Sequence, residues 1–183
     1  MEIKDSAAKD KILLVDEEDN EKGFEEKLKV HKEGKLHRAF SIFVFNSKGE
    51  LLLQRRAKGK YHSGGLWTNT CCSHQRQGER LEEAVHRRLK EEMGFDCDME
   101  EAFTFSYRAE FDNGLVENEV DHVFIGRFDG EPKENPEEFD QWKWIRIDEL
   151  ERDVKENPDK YTYWLKECVG RVISHVRGKP AGA

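Results

Sequence analysis

Gly78-Glu79-Arg80-Leu81-Glu82-Glu83-Ala84-Val85-His86-Arg87-Arg88-Leu89-Lys90-Glu91-Glu92-Met93-Gly94 reads as one amphipathic helix. Leu81, Ala84, Val85, Leu89 and Met93 recur at helical spacing and make a single apolar stripe. Gly94 stops it, because glycine enters the left-handed backbone region at little cost. Strand patterns flank this helix on both sides. Upstream, 11–16 reads as a first strand, the acidic 17–23 as a turn, and 24–34 as either a short helix or extended chain. Residues 38–45, a turn at 46–49 and 50–54 predict a hairpin. A strand over 66–72 follows the Ser63-Gly64-Gly65 turn. Downstream, 102–111 and 116–128 read as strands joined by Asp112-Asn113-Gly114, 141–146 as a short strand and 161–176 as a closing helix. The pattern predicts an α+β (mixed α/β) fold, a mixed β-sheet flanked by helices.

Length and composition set outer limits. The 183 residues suit a single domain, 1–183, and the ends, 1–10 and 177–183, have the composition of frayed termini. The chain is 36% hydrophobic and 38% charged, yet 12–15, 40–45, 51–53 and 120–125 are apolar enough to build a core. A net charge of −8 argues against nucleic acid as a partner, since phosphate backbones require a basic surface. It leaves room for a small anion held by a few local cations. No apolar run approaches the roughly 18 residues that span a bilayer, and the first residues carry no secretory apolar stretch. The four cysteines, Cys71, Cys72, Cys97 and Cys168, lack paired CxxC spacing. Together these features predict a cytoplasmic protein with no membrane partner, monomeric or weakly dimeric.

Two short stretches carry chemistry. Trp67-Thr68-Asn69-Thr70-Cys71-Cys72-Ser73-His74 sets a thiol and an imidazole two residues apart; Val116-Glu117-Asn118-Glu119-Val120 does the same with two carboxylates. Along a strand, residues i and i+2 share a face, so each pair can aim into one pocket. Cys71 then points the other way, into the core. A free cysteine is more often a small buried hydrophobe, the reading kept for Cys97 and Cys168. A lone histidine is more often structural or at the surface, the reading kept for His62, His86, His122 and His175.

Between Ser73 and Phe95, the residues Glu79, Arg87, Leu89, Glu91, Glu92, Gly94 and Phe95 fall at the spacing of a Nudix box, which sets a glutamate cluster beside a diphosphate. Two positions depart from it: Ser73 replaces the opening glycine, and Arg88 replaces the glutamate of the Arg-Glu pair. Positions 88, 91 and 92 share a helix face, so a cation at 88 removes a hard metal ligand and adds a diphosphate donor. The bland alternative is that Glu91 and Glu92 solvate the helix while Arg88 pairs with Glu92.

With Leu36-His37-Arg38-Ala39-Phe40, Arg55-Arg56-Ala57, Trp67-Thr68-Asn69, Cys72-Ser73-His74, Tyr107-Arg108-Ala109 and Val116-Glu117-Asn118-Glu119-Val120 added, the chain resembles the type I isopentenyl-diphosphate isomerases, a Nudix-fold family. The resemblance runs from about Lys27 to Trp164. It implies a Nudix-like fold and a 1,3-proton shift between isopentenyl and dimethylallyl diphosphate, with a small prenyl diphosphate as partner. Cys72 and Glu119 are implied as proton carriers and Tyr107 as an orienting or relaying hydroxyl, with a nearby metal and cationic side chains favouring the Cys72 thiolate. His31, His37, His74, Glu117 and Glu119 are implied as ligands of one divalent metal, with Mn, Mg and Zn all compatible with that donor set. A second Mg, delivered with the diphosphate, is implied at Glu92 and the Cys72 carbonyl. Lys27, Arg56, Lys60 and Arg88 are implied as diphosphate ligands, and Trp164 as a π-face over the hydrocarbon.

Two other functions fit parts of the pattern. A Nudix pyrophosphohydrolase acting on a nucleotide or prenyl diphosphate is supported by Glu91-Glu92 and opposed by Arg88 and the Cys72-His74 pair. A catalytically silent module that binds diphosphates or another protein is opposed by the complete set of Cys, Tyr, Glu and His.

Overall fold

Strand β3 (His37–Phe45) organises the sheet, and its apolar run is continuous because it is buried on both faces. The computed structural model describes residues 10–178, so most of the expectation of frayed ends lies outside the described residues. Along one edge β3 pairs in parallel with β8 (Val116–Arg127), from His37 opposite Glu119 to Phe45 opposite Arg127. Along its other edge it meets three strands in turn. These are β1 (Lys11–Val15) at His37, β6 (Cys71–His74) over Ala39 to Ile42, and β4 (Glu50–Arg56) at Phe45 alone. β2 (Glu21–Glu26) pairs with β1, β7 (Met99–Glu110) with β8, and β5 (Trp67–Thr68) and β9 (Phe139–Arg146) with β4.

The expected hairpin is therefore closed only at its turn. Beyond Phe45 and Leu51 the two strands splay, and side chains from the β5–β6 link fill the gap. The Thr70 hydroxyl accepts from Val44 N–H at 2.9 Å and donates to the Leu52 carbonyl at 2.7 Å. Asn69 Nδ2 donates to the Ile42 carbonyl at 3.1 Å. The predicted single strand over 66–72 is consequently two short ones, the first on β4 and the second on β3.

Helix α2 (Leu81–Met93) lies on one face, its Ala84, Val85, Leu89 and Met93 packed with Phe40, Ile42 and Val44. It starts three residues later than predicted, with the Glu83 carboxylate accepting the Arg80 N–H at 2.9 Å, and ends at Gly94 with φ 74°. Helix α4 (Tyr163–Arg177) covers the other face, with Leu165, Val169, Val172 and Ile173 against Phe43 and Phe45. Its predicted start at 161 is too early, since Tyr161 bridges to Trp67 in extended form. The ambiguous 24–34 is both things: strand through Glu26, then helix α1 (Lys27–Glu33). Residues 21–23, expected in a turn, belong to β2, and the turn itself is held by the Asp16 carboxylate, which accepts Asn20 N–H at 2.8 Å. Helix α3 (Ile147–Glu156), followed by a 3-10 turn over Pro158–Lys160, was not anticipated. Among the described residues no helix is long and apolar enough to cross a membrane.

Candidate active site

The α4-facing side of β3 changes character along its length, from Phe45 and Phe43 in the core to Ser41 and His37 at the opposite end. Strand register assembles a site there. Glu119 is paired with His37 on one side and with Tyr107 on the other, and His74 stands opposite Ala39. Helix α1 adds His31, and Gly34 turns the chain after it with φ 64°.

Among the described residues, His31, His37, His74 and Glu119 each offer one donor atom within 4.8 Å of the others, and all four are buried. Two of the imidazoles are oriented by the backbone. A carbonyl can only accept, so His31 Nδ1–H donates to Lys27 O at 2.6 Å and His37 Nδ1–H to Lys35 O at 2.9 Å. In the neutral rings this leaves the Nε2 lone pairs as acceptors. His37 Nε2 and His74 Nε2 lie 3.3 and 3.1 Å from Glu119 Oε1, and His31 Nε2 is buried without a hydrogen-bond partner. Three imidazoles and a carboxylate oxygen converge with donor atoms turned toward one point. The donor set thus fits a divalent metal. Burial lowers His31 to about 4 against the pull of Glu117, and lowers His74 well below its ordinary value, keeping both in the ligating neutral form. Burial also lowers His37, but its contact with Glu119 outweighs that and raises it.

Glu117 stands just outside this group. Its Oε1 is 2.6 Å from His62 Nε2 and 3.9 Å from His31 Nε2, while the Tyr107 hydroxyl reaches its Oε2 at 2.5 Å. Four of the five expected metal donors therefore converge, and the fifth is turned toward His62. Burial pushes the Glu117 carboxyl up, but its contact with His62 outweighs that and holds it well below the usual range. Glu119 moves the other way, to about 7, through burial and repulsion from Glu117.

Cys72 lies opposite Ser41 on the β3–β6 ladder and lines the same cavity as Tyr107, Glu117, Glu119 and Trp164. Cys71 faces the α2 core, as strand alternation requires, and its Sγ donates to Glu92 Oε2 at 3.3 Å. The expected Cys72 thiolate is not favoured by the protein's own groups. Burial pushes the thiol well up, and Glu92, Glu117 and Glu119 add to burial, which Arg56 only partly opposes. Cys168 is buried in the α4 core, and Cys97 is half-buried.

The same cavity is lined by Lys27, Arg56, Lys60 and Arg88, with the Arg56 guanidinium 5.3 Å from the centre of the Trp164 ring. Arg88 is held by Glu92 at 3.0 Å and by Glu138 at 2.8 Å, and Lys60 reaches the same Glu138 oxygen at 2.5 Å. The pairing of Arg88 with Glu92, the bland alternative for this helix, is thus present alongside its place in the cavity wall. Glu92 is buried and also accepts from Gln54 at 2.6 Å, whereas Glu91 is exposed and pairs with Arg87. Only one glutamate of the helix pair faces the cavity.

Three participants escaped sequence reading. His62, expected to be structural or at the surface, is buried against Glu117. Asn69 accepts from Trp164 Nε1 at 3.1 Å and so fixes the indole. Glu138 bridges two of the cations. Of the three, only Asn69, inside Trp67-Thr68-Asn69, had a local signal. His122, expected to be structural or at the surface, is half-buried and clamped between Asp19 at 2.8 Å and Glu101 at 2.6 Å, a structural role.

Comparison with known proteins agrees with this geometry. The NUDIX domain model matches residues 35–165. Isopentenyl-diphosphate Delta-isomerase 2 of Aromatoleum aromaticum is 55% identical over 174 residues, covering 95% of this chain and 92% of that protein. Isopentenyl-diphosphate Delta-isomerase 2 of Photorhabdus laumondii is 55% identical over 158 residues, 86% of this chain and 89% of its own. Among solved structures, DR0079 from Deinococcus radiodurans superimposes with a TM-score of 0.73 at 22% identity, covering 88% and 98% of the two chains. A MutT NUDIX hydrolase from Burkholderia pseudomallei gives 0.61 at 20% identity, over 75% and 98%. These two likenesses show the fold. The chain belongs to the isopentenyl-diphosphate Delta-isomerases, built on a NUDIX domain.

Proposed function

We propose that this chain interconverts isopentenyl and dimethylallyl diphosphate by a 1,3-proton shift. The observation that carries the reading is one cavity lined by a thiol, Cys72, a carboxyl, Glu119, an indole, Trp164, and the cations Lys27, Arg56, Lys60 and Arg88. An unactivated alkene is a very poor base, and protonating it creates a tertiary cation that water would quench. The pocket must deliver one proton, remove another and stay dry.

In the direction of dimethylallyl diphosphate, Glu119 gives its proton to the terminal carbon of the double bond, leaving positive charge at C3. Cys72 as thiolate takes a proton from C2, and those C–H electrons form the new double bond. The proton that leaves Glu119 is balanced by the one gained at Cys72, and the reverse reaction starts from the thiol form that burial favours. Tyr107 holds the Glu119 carboxyl in place. Trp164 offers its π-face to the cationic carbon, and Asn69 keeps the indole from turning.

His31, His37, His74, Glu119 and, after release from His62, Glu117 would hold one divalent metal, which polarises the Glu119 carboxyl when bound. Mn, Mg and Zn are all compatible with these donors. Lys27, Arg56, Lys60 and Arg88 would grip the diphosphate, whose own Mg would sit at Glu92 and the Cys72 carbonyl. Arg88 displacing Glu138 for phosphate oxygens exchanges one anion for another of higher charge.

Acid lability tests the reading. Allylic diphosphates decompose in mild acid and their homoallylic isomers do not. Labelled isopentenyl diphosphate incubated with the metal-loaded protein should become largely acid-labile with no phosphate released beforehand. Phosphate release before acid treatment would instead support a hydrolase.

A further inference from the structure

His62 has no part in the proton shift described above, yet it is buried within the site, with 6% of its surface exposed. Its ring stacks on Phe111 at 4.5 Å and 6°, and meets Tyr61 at 4.5 Å and Trp164 at 5.8 Å, both edge-on. Nε2 lies 2.6 Å from Glu117 Oε1, and Nδ1 lies 3.2 Å from Ser63 Oγ. The contacts with Phe111, Tyr61 and Trp164 do not depend on Glu117, so they hold the imidazole in place when that carboxylate turns to the metal. The ring is a wall.

Two spaces meet at that wall. On one side is the cavity with Cys72, Glu119 and Trp164. On the other is an open groove of about 530 Å³, lined by Leu66, Ala109, Phe111 and Tyr163 together with charged residues that include Glu110 and Lys166. His62 lines both. Trp164 faces only the cavity and Phe111 only the groove, so the imidazole and the phenyl stacked behind it form the partition.

We propose that His62 is a specificity-determining residue that limits the hydrocarbon of the substrate to a short branched unit, by separating the cavity from the groove whose Phe111, Leu66 and Tyr163 offer apolar surface to a longer chain. The inference rests on the isomerase reading, which assigns the Trp164 end to the hydrocarbon. A substrate whose C3 methyl is replaced by a longer alkyl group meets the imidazole in the parent protein. With a small side chain at position 62 the extra methylenes pass into the groove. A pocket discriminates on the order of tenfold per methylene or more, so removing the wall changes a substrate ratio strongly.

The test compares isopentenyl diphosphate with its homologue carrying a butyl group at C3, on the parent protein, His62→Ala and Phe111→Ala. The ratio of kcat/KM for the homologue to that for isopentenyl diphosphate should rise about tenfold or more in His62→Ala. In Phe111→Ala, which removes the backing of the ring, it should rise by a smaller factor. Using a ratio cancels any loss of metal caused by releasing Glu117, because both substrates meet the same enzyme. Calorimetry with the saturated five-carbon diphosphate and its longer homologue reads the same selectivity without turnover. Ratios within about twofold of the parent, by rate and by affinity, would overturn the proposal. If the parent does not isomerise isopentenyl diphosphate at all, the isomerase reading fails, and the affinity ratios still decide whether His62 is the wall.

Discussion

The Tyr107 hydroxyl lies 2.7 Å from Glu119 Oε2 and 2.5 Å from Glu117 Oε2, so one phenol bridges two carboxyls on the same strand face. A phenol carries one proton, and burial keeps it there by pushing the Tyr107 pKa well above 10.0. It can donate to one carboxylate while accepting from the other carboxyl only if that second group is protonated. Glu117 is held ionised beside His62, and Glu119 is raised to about 7, which assigns the second proton to Glu119. Tyr107→Phe breaks this bridge without emptying space. We expect kcat to fall roughly 100-fold with KM and bound metal little changed. Steady-state kinetics with metal analysis on one preparation checks it.

The tandem thiols separate packing from chemistry. Cys72→Ala should lower turnover at least about 1000-fold while metal content stays near the parent level. Cys71→Ala removes a fully buried sulfur from the α2 core and should retain turnover while costing about 1–2 kcal/mol of stability in a denaturant titration. Exchange of the two outcomes would contradict the assignment within the pair.

Metal binding should be visible as stability. Three imidazoles and a carboxylate gathered within 4.8 Å form a ready donor set in the folded chain alone, so chelation of the bound ion should lower Tm. Restoring the ion should raise Tm with its concentration, adding about 2.7 kcal/mol of unfolding free energy at 100 times Kd. His74→Ala should lose metal first, read as ions per chain. Full metal content and activity in that variant would contradict the ligand set.

Glu138 supplies the pH prediction. Burial would raise its carboxyl, but Arg88 and Lys60 outweigh burial and lower it to about 2 from 4.5. A depressed folded-state pKa contributes stability that is complete above the unfolded value, and that stability is lost as pH falls from about 4.5 toward 2. Glu138→Gln should therefore flatten this part of the acid limb, with a loss on the order of 2 kcal/mol at neutral pH that shrinks in acid. Unfolding free energies measured from neutral pH down to pH 3 decide it.

What was legible in the sequence was local. The α2 stripe ended by Gly94 and the i, i+2 pairs Cys72/His74 and Glu117/Glu119 each follow from the period of a single element, and the fold kept them. What failed depended on partners far along the chain. The pattern of β3 and β4 looks like a plain hairpin, because nothing local shows that Asn69 and Thr70 insert between the two strands. His62 lacks any periodic context; its loop folds back onto Glu117, 55 positions later by their residue numbers. Glu138 reaches Lys60 across a similar distance in sequence. Helix α3 was missed although Ile147, Leu150 and Val154 stand at helical spacing, because its charged remainder masked so short a stripe.

The central claim is a proton shift that leaves the diphosphate whole. It is tested most directly by proton and phosphorus NMR of the metal-loaded protein with isopentenyl diphosphate in D₂O. The account predicts dimethylallyl diphosphate with deuterium in a methyl group and unchanged diphosphate signals. Inorganic phosphate or diphosphate appearing in place of the isomer, or isomer formed with no deuterium, would contradict it.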